Sequence, residues 1–250
     1  MTSLPTVLAL ENASMIAWPA LEEVRDGAWV ARFANGFSRR ANSLQSLDAS
    51  DDDNVEARLE AMRALFAKQG IAFQFRSTPL TGPALISTLA AQGWTETDRN
   101  HVMAMPLRPV MRAVPAHTKL FEPTDTAWVQ TQTGFAKTQS QATALAGILA
   151  RLTVPAKAFV AYRDDLKPVA AALVVIADGI AFFLNVVVDE DFRGMGYGRA
   201  IMSAGLNWAS QHKAPFAALQ VQADNAVAMP LYASLGFEPV YQYLYHVAPQ

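Results

Sequence analysis

Nine residues in the second half of the chain read Asp191-Phe192-Arg193-Gly194-Met195-Gly196-Tyr197-Gly198-Arg199. They follow an apolar run typical of a buried strand and precede a helical pattern that starts near Gly198. At such a junction backbone N–H groups point outward at the positive end of the helix dipole, and glycines let a phosphate approach the backbone closely. The segment therefore predicts an anion site, with a plain strand-to-helix turn as the alternative.

The segment does not match two common phosphate-binding motifs. A Gly-x-Gly-x-x-Gly fingerprint fails because its last position is Arg199 when counted from Gly194 and Ile201 when counted from Gly196. The Gly-Lys-Ser/Thr sequence of a nucleoside triphosphate loop is absent as well. Neither a dinucleotide nor a nucleoside triphosphate is favoured.

Two other motifs occur together in the second half. The pattern Arg/Gln-x-x-Gly-x-Gly/Ala is met by Arg193, Gly196 and Gly198. The pattern Asn-x-x-Ala-x-x-Leu-Tyr-x-x-x-Gly-Phe is met in full by Asn225, Ala228, Leu231, Tyr232, Gly236 and Phe237. In both respects the chain resembles the GNAT N-acetyltransferase superfamily, although Glu190 stands where that family usually has proline.

The resemblance implies acetyl-CoA as the cosubstrate. Its pyrophosphate is expected on the amides of the glycine-rich turn, its pantetheine beside a strand edge where GNAT strands splay apart, and Asn225 against the CoA arm. The implied cofactor-binding residues are Val186, Val187, Val188, Arg193, Gly194, Met195, Gly196, Tyr197, Gly198, Arg199, Asn225 and Tyr232.

The resemblance also makes Tyr232 the catalytic general acid, which would protonate or hydrogen-bond the leaving thiolate. A tyrosine of pKa about 10 can donate to a thiolate whose conjugate acid has a pKa near 8.5. A core aromatic residue on an amphipathic helix is the alternative. The base that deprotonates the amine stays open between Glu190, Asp189, a backbone carbonyl and a water chain.

An internal repeat organises the chain. Asn35-Gly36 and Asp178-Gly179 each separate strand-like runs, and Gly93-Trp94 resembles Gly236-Phe237. Both pairs have the same offset, since 179 − 36 = 143 and 236 − 93 = 143. We interpret this as two copies of one fold.

The offset and the prolines between the copies give domain boundaries. Residues 1–107 are predicted to form a degenerate GNAT-like domain, 108–116 a linker and 117–250 the acetyltransferase domain. The predicted class is α/β, with each domain a mixed, mostly antiparallel sheet flanked by helices.

The first copy lacks the residues of the anion site. Under the offset, Asp51, Asp52 and Asp53 stand opposite Gly194, Met195 and Gly196. Three carboxylates would repel a pyrophosphate, so the first copy is expected not to bind CoA in this way. We expect its acidic loop to cap the following helix.

Composition excludes several classes of protein. With 20 Lys+Arg against 22 Asp+Glu, the net charge of −2 predicts no nucleic-acid partner. The 52% hydrophobic fraction supports a packed core, and the absence of cysteine excludes disulfides and thiolate metal sites. The histidines have no ligand spacing, so no metal is predicted; they are His101, His117, His212 and His246.

We predict a cytoplasmic protein that has no membrane partner. Residues 1–19 lack a basic segment, and Glu11 interrupts their apolar stretch. The long apolar run of residues 169–188 is broken by Asp178-Gly179, which indicates two strands and a tight turn.

The predicted function is transfer of an acetyl group from acetyl-CoA to a primary amine of a small molecule by direct attack. Acetylation of a protein or peptide amino terminus and non-catalytic acyl-CoA binding are the alternatives. The sequence leaves the acceptor open, and the protein is expected to be a monomer or a homodimer. Arg39 and Arg40 could reach an acidic substrate or lie on a solvated face.

Overall fold

The computed structural model describes residues 3–109, 111–114, 117–164 and 166–249. Within them the strands are β1 (Glu22–Asp26), β2 (Trp29–Phe33), β3 (Leu44–Ser46), β4 (Gln74–Ser77), β5 (Thr95–Pro106), β6 (His117–Phe121), β7 (Ala156–Tyr162), β8 (Pro168–Ala177), β9 (Ile180–Val188), β10 (Phe216–Gln222) and β11 (Glu238–Val247). The α-helices are α1 (Val7–Ala17), α2 (Val55–Lys68), α3 (Pro83–Ala91), α4 (Thr126–Phe135), α5 (Ala142–Leu149), α6 (Tyr197–Gln211) and α7 (Ala228–Leu235). In the predicted linker, Val110, Pro115 and Ala116 lie outside the described residues.

The strands form a mixed sheet flanked by helices, as predicted. Its order among the described residues is β1-β2-β3-β4-β11-β5-β10-β9-β8-β7-β6. Only the β3–β4 and β9–β10 neighbours are parallel within the described chain, and the others are antiparallel. No helix of the described residues is long and apolar enough to cross a membrane.

The prediction of a separate sheet in each half is wrong, because the two halves exchange their last strands. β5 from the first half pairs with β10, and β11 from the second half pairs with β4. β5 and β11 also pair with each other in the middle of the sheet. They begin at Thr95 and Glu238, and 238 − 95 = 143, the offset of the sequence repeat. The division into two domains stays a prediction.

The two predicted hairpin turns have different outcomes. Asp178-Gly179 joins β8 to β9 with φ values of 47° and 77°, as predicted. Asn35-Gly36 has similar angles but is not a two-residue hairpin turn, because β2 and β3 pair antiparallel across the longer loop of residues 34–43. The side chain of Asn42 organises this loop: its Oδ1 atom accepts hydrogen bonds from the Ala34 and Gly36 amides at 2.8 and 3.0 Å.

Tight packing fixes α6 against the sheet beneath the predicted anion site. A Cβ atom added to Gly205 would lie 2.6 Å from Phe183 Cε1 and 2.8 Å from Val174 Cγ2. Both neighbours are buried side chains of the sheet. The helix therefore approaches β8 and β9 closely only because residue 205 has no side chain.

We expect Gly205→Ala to lower the free energy of unfolding by roughly 1–3 kcal/mol, because the added methyl group overpacks the interface. Gly147→Ala is the matched control: Gly147 lies in α5 with no atom within 4 Å of an added Cβ. The control should stabilise the protein by up to about 1 kcal/mol through helix propensity. Chemical denaturation measures both, and equal effects would contradict the packing argument.

Candidate functional site

The glycine-rich turn presents uncapped amides at the start of α6. Gly194 and Gly196 have φ of 76° and 86°, a region that side chains disfavour. Gly196 is the N-cap residue, and no described side chain caps the helix. The first amides of α6 therefore lack intrahelical partners and can donate to an anion.

β9 and β10 separate next to this turn. Their parallel pairing ends at Phe183 and Leu219, although β9 continues to Val188. A β-bulge follows at Asn185, which has a φ of 51°, and it shifts the register between β8 and β9. The edge of β9 beyond the bulge is left without a strand partner on the β10 side.

A cavity of about 470 Å³ lies between the turn and this strand edge. Its lining residues are Val186, Val187, Val188, Arg193, Gly194, Gly196, Gly198, Arg199, Asn225, Val227, Ala228, Leu231 and Tyr232. We call it the donor cavity. Of the predicted residues, Met195 and Tyr197 do not line it: Met195 is 64% exposed, and Tyr197 packs edge-on against Phe192.

The sequence prediction omitted three residues of the donor cavity from its binding set. Ala228 and Leu231 belong to the second motif, so their positions in the pattern could have indicated them. Val227 carries no such signal. The Asn225 side chain accepts a hydrogen bond from the Ala228 amide at 2.9 Å and so holds the start of α7 beside the cavity.

Tyr232 stands between the donor cavity and a second cavity and lines both. Its side chain is 7% exposed, and its hydroxyl makes no hydrogen bond with the described residues. Burial raises the pKa of Tyr232 to about 12. The phenol is therefore a protonated donor without a protein acceptor, placed at the junction of two cavities.

The second cavity has a volume of about 340 Å³ and is lined by both halves of the chain. It shares Val186, Asn225 and Tyr232 with the donor cavity. Its other lining residues are Ser38, Arg39, Arg40, Asp98, Asn100, Phe183, Leu184, Asn185, Gln220, Val221, Gln222, Tyr243 and Tyr245. We call it the acceptor cavity. Apart from the three shared residues, the sequence analysis named Arg39 and Arg40 as residues that could contact a substrate, and the lining from β5 and β11 was missed because strand exchange has no local sequence signal.

Neither of the acidic residues considered as a base lines these cavities. Both Glu190 oxygens lie 2.9 Å from Lys137 Nζ, and this contact lowers the pKa of the Glu190 carboxyl. The Asp189 side chain accepts from the Asp191 amide at 3.2 Å. Among the described lining residues of the two cavities, the carboxylate is Asp98.

In the first half, the loop opposite the glycine-rich turn carries aspartates whose carboxylates bind neighbouring groups of the first half. Asp51 accepts hydrogen bonds from Arg58 at 2.9 and 3.0 Å and from the Ala28 amide at 2.7 Å, which lowers its pKa. Asp52 accepts from the Ala84 and Leu85 amides at 2.6 and 2.9 Å. The expected capping of the following helix is wrong: α2 has no side-chain cap, and Asp52 caps α3 instead.

Within the described residues there is no cluster of three or more His, Cys, Asp or Glu side chains that could hold a metal ion.

We expect Asp52→Ala to lower the free energy of unfolding by about 1 kcal/mol, because the first amides of α3 lose their cap. Asp53→Ala is the control, since the Asp53 carboxylate is exposed and makes no hydrogen bond with the described residues. Denaturant titration measures both variants. A loss no larger for Asp52→Ala than for Asp53→Ala would refute the capping role.

Three comparisons relate the chain to known proteins. The sequence model of a family described as "Probable histone acetyltransferase Rv0428c C-terminal" matches residues 5–246. The chain is 25% identical to the "Uncharacterized N-acetyltransferase YobR" of Bacillus subtilis over 246 residues, 95% of this chain and 97% of that one.

Solved structures share the fold over nearly the whole chain. A GCN5-related N-acetyltransferase from Kribbella flavida superposes with a TM-score of 0.74 at 18% identity, covering 99% of this chain and 97% of that one. A "Tandem GNAT protein from the clavulanic acid biosynthesis pathway" superposes with a TM-score of 0.67 at 16% identity, covering 100% and 90%.

Proposed function

The chain belongs to the acetyltransferase family whose model spans residues 5–246, within the GNAT superfamily, and from that premise we propose that it transfers an acetyl group from acetyl-CoA to a primary amine of a small molecule. The observation that carries the proposal is the position of Tyr232, a protonated hydrogen-bond donor that lines both the donor cavity and the acceptor cavity. The donor enters one cavity and the amine the other.

The donor cavity fits the chemistry of a CoA ester. The uncapped amides of α6 and the side chains of Arg193 and Arg199 suit a pyrophosphate. The unpaired edge of β9 offers backbone groups of Val186, Val187 and Val188 to an extended amide-bearing arm. The apolar side chains of Val227 and Leu231 cover the other wall.

Tyr232 acts as a hydrogen-bond donor to the leaving sulfur. In the reaction the amine nitrogen bonds to the thioester carbon, the carbon–sulfur bond breaks to release CoA as its thiolate, and the proton of the nitrogen passes to solvent water. Burial sets the pKa of Tyr232 to about 12, whereas a free thiol has a pKa near 8.5. Complete proton transfer from the phenol to the thiolate is therefore uphill, but a hydrogen bond that strengthens as negative charge develops on sulfur lowers the barrier.

The size and walls of the acceptor cavity support a small acceptor. About 340 Å³ is at the lower end of the range for small-molecule sites. Residues from both halves line this compact cavity, whereas a peptide acceptor is expected to use a longer groove. We include in the proposal that the first half is a degenerate copy, which supplies walls of this cavity and binds no CoA of its own.

Calorimetric titration with acetyl-CoA tests the donor. We expect one site per chain, with weaker affinity in Met195→Asp, because that substitution adds a negative charge to the turn whose amides would bind the pyrophosphate. Met195 is 64% exposed and has an ordinary φ, so its replacement leaves the turn intact. Met195→Asn is the matched neutral control and should bind like the wild type.

Other results of this titration would refute parts of the proposal. Two sites per chain would mean that the first half binds CoA. No binding in the wild type would remove acetyl-CoA as the donor. Equal affinity of Met195→Asp and Met195→Asn for acetyl-CoA would show that the pyrophosphate does not bind at the glycine-rich turn.

A Tyr232→Phe variant should reduce kcat about 100-fold with an unchanged KM for acetyl-CoA, since general-acid groups contribute 10²- to 10⁴-fold. Tyr162→Phe on β7 is the control, because Tyr162 lines neither cavity.

The pH dependence of kcat gives a second test. With a Tyr232 pKa of about 12, the phenol stays protonated through pH 10, and its ionisation causes no decrease of kcat below that pH. Steady-state kinetics from pH 6 to 10 measure both; an unchanged kcat would make Tyr232 a packing residue.

A further inference from the structure

We propose that the acceptor carries an anionic group, a carboxylate or a phosphate, in addition to its amine, and that Arg40 of the first half binds this group. This inference rests on the proposed function, because it concerns the acceptor cavity of the same transferase. It assigns to the first half a role in substrate recognition that the second half does not provide.

All charged residues that line the acceptor cavity come from the first half. They are Arg39, Arg40 and Asp98. The polar side chains contributed by the second half are amides and phenols, which carry no charge at neutral pH. Charge recognition in the cavity therefore depends on residues before position 107.

Arg39 has its charge balanced within the protein. Its Nη1 atom pairs with Asp98, its Nε atom donates to Gln74 Oε1 at 2.6 Å, and its guanidinium stacks over the Tyr245 ring at 4.4 Å. The hydrogen bonds use the Nε and Nη1 atoms of Arg39. Arg39 and Asp98 together add no net charge to the cavity.

Arg40 has no such carboxylate among the described residues. Its guanidinium lies 5.1 Å from the centre of the Trp18 ring, a contact that orients the charge without neutralising it. Its backbone carbonyl accepts a hydrogen bond from Arg32 Nη1 at 2.9 Å, which fixes residue 40 in the loop. Arg40 therefore presents an oriented and unbalanced positive charge to the cavity.

The charges behind the cavity wall do not cancel that of Arg40. Arg76 lies 3.8 Å below the Tyr243 ring, and it is paired with the buried Glu11 carboxylate. The sum over the charged lining residues and this buried pair is thus one positive charge. Such a site attracts an anionic group and disfavours a lysine-rich peptide.

Two β-bulges direct donors and charges into the same cavity. Asp98 lies in a bulge of β5 opposite β11 with a φ of 48°, and Asn185 lies in the bulge of β9 with a φ of 51°. The Asn185 Nδ2 atom is buried and has no hydrogen-bond partner in the described chain. Bulges and left-handed residues are enriched near binding sites, and an oxyanion that reached this amide would supply its missing hydrogen-bond acceptor.

The test compares matched acceptors that differ only in the anionic group. L-Phenylalanine is paired with L-phenylalaninamide, and glucosamine 6-phosphate with glucosamine, so the two pairs separate a carboxylate from a phosphate. Acetyl transfer from acetyl-CoA gives kcat/KM for each. We expect the anionic member of at least one pair to be preferred about tenfold or more, as for a charge-assisted hydrogen bond.

Three substitutions connect that preference to individual charges. Arg40→Gln should abolish the preference mainly through a higher KM for the anionic acceptor, and Arg40→Lys should restore part of it. Asp98→Asn should increase the preference for the anionic acceptor, because it removes the carboxylate that pairs with Arg39. The substitution should leave the backbone unchanged, since asparagine tolerates the positive φ of residue 98. Arg25→Gln is the control: this β1 arginine is 55% exposed on its side chain and does not line the cavity.

The outcomes separate this inference from the proposed function. Transfer to neutral amines with equal or greater efficiency would overturn the anion site and leave the proposed function standing. Transfer to a lysine-rich peptide in preference to all four amines would overturn both the anion site and the small-molecule acceptor, and would leave only the acetyl-CoA-dependent transfer. If acetyl-CoA binds but no amine is acetylated, the proposed function fails. Calorimetric binding of each acceptor pair to the CoA-loaded protein then decides the inference alone, and equal affinities within both pairs would refute it.

Discussion

β5 and β11 run antiparallel to each other through the middle of the sheet, and each completes the part of the sheet built by the other half. Because β5 is hydrogen-bonded to β10, its bulge carries Asp98 to the edge of the second half's site. Because β11 is hydrogen-bonded to β4, its tyrosines form the opposite wall. Without this exchange the acceptor cavity would lose the lining residues that β5 and β11 contribute.

The two halves differ in the loop that precedes α6 and its counterpart α2. In the second half this loop is glycine-rich, and the amides at the start of α6 are uncapped. In the first half the same loop carries three aspartates, and the Asp52 carboxylate accepts from the first amides of α3, next to Gly82, where an added Cβ would lie 2.2 Å from Asp52 Cγ. The start of α2 has no side-chain cap either, so the halves differ in the charge of this loop and not in the capping of the helix that follows it.

Local features of this fold could be predicted from sequence, and long-range ones could not. The β8–β9 hairpin, α6 and the glycine-rich turn depend on residues within a few positions of each other, and their patterns predicted them. Glu11 was interpreted as an interruption of an apolar stretch, yet it is buried in α1 because Arg76, 65 residues away, neutralises it. The same limit applies to the acceptor cavity, since no spacing within either half indicates which strand will pair with which.

The contacts that orient the charged wall of the acceptor cavity lie away from the donor cavity. Arg39 donates to Gln74 and pairs with Asp98, and the loop at Arg40 is held by Trp18 and by the contact from Arg32 to the Arg40 carbonyl. None of these partners lines the donor cavity. A group bound in the donor cavity therefore makes no direct contact with the residues that orient these arginines, and we expect the charged wall to form independently of the donor.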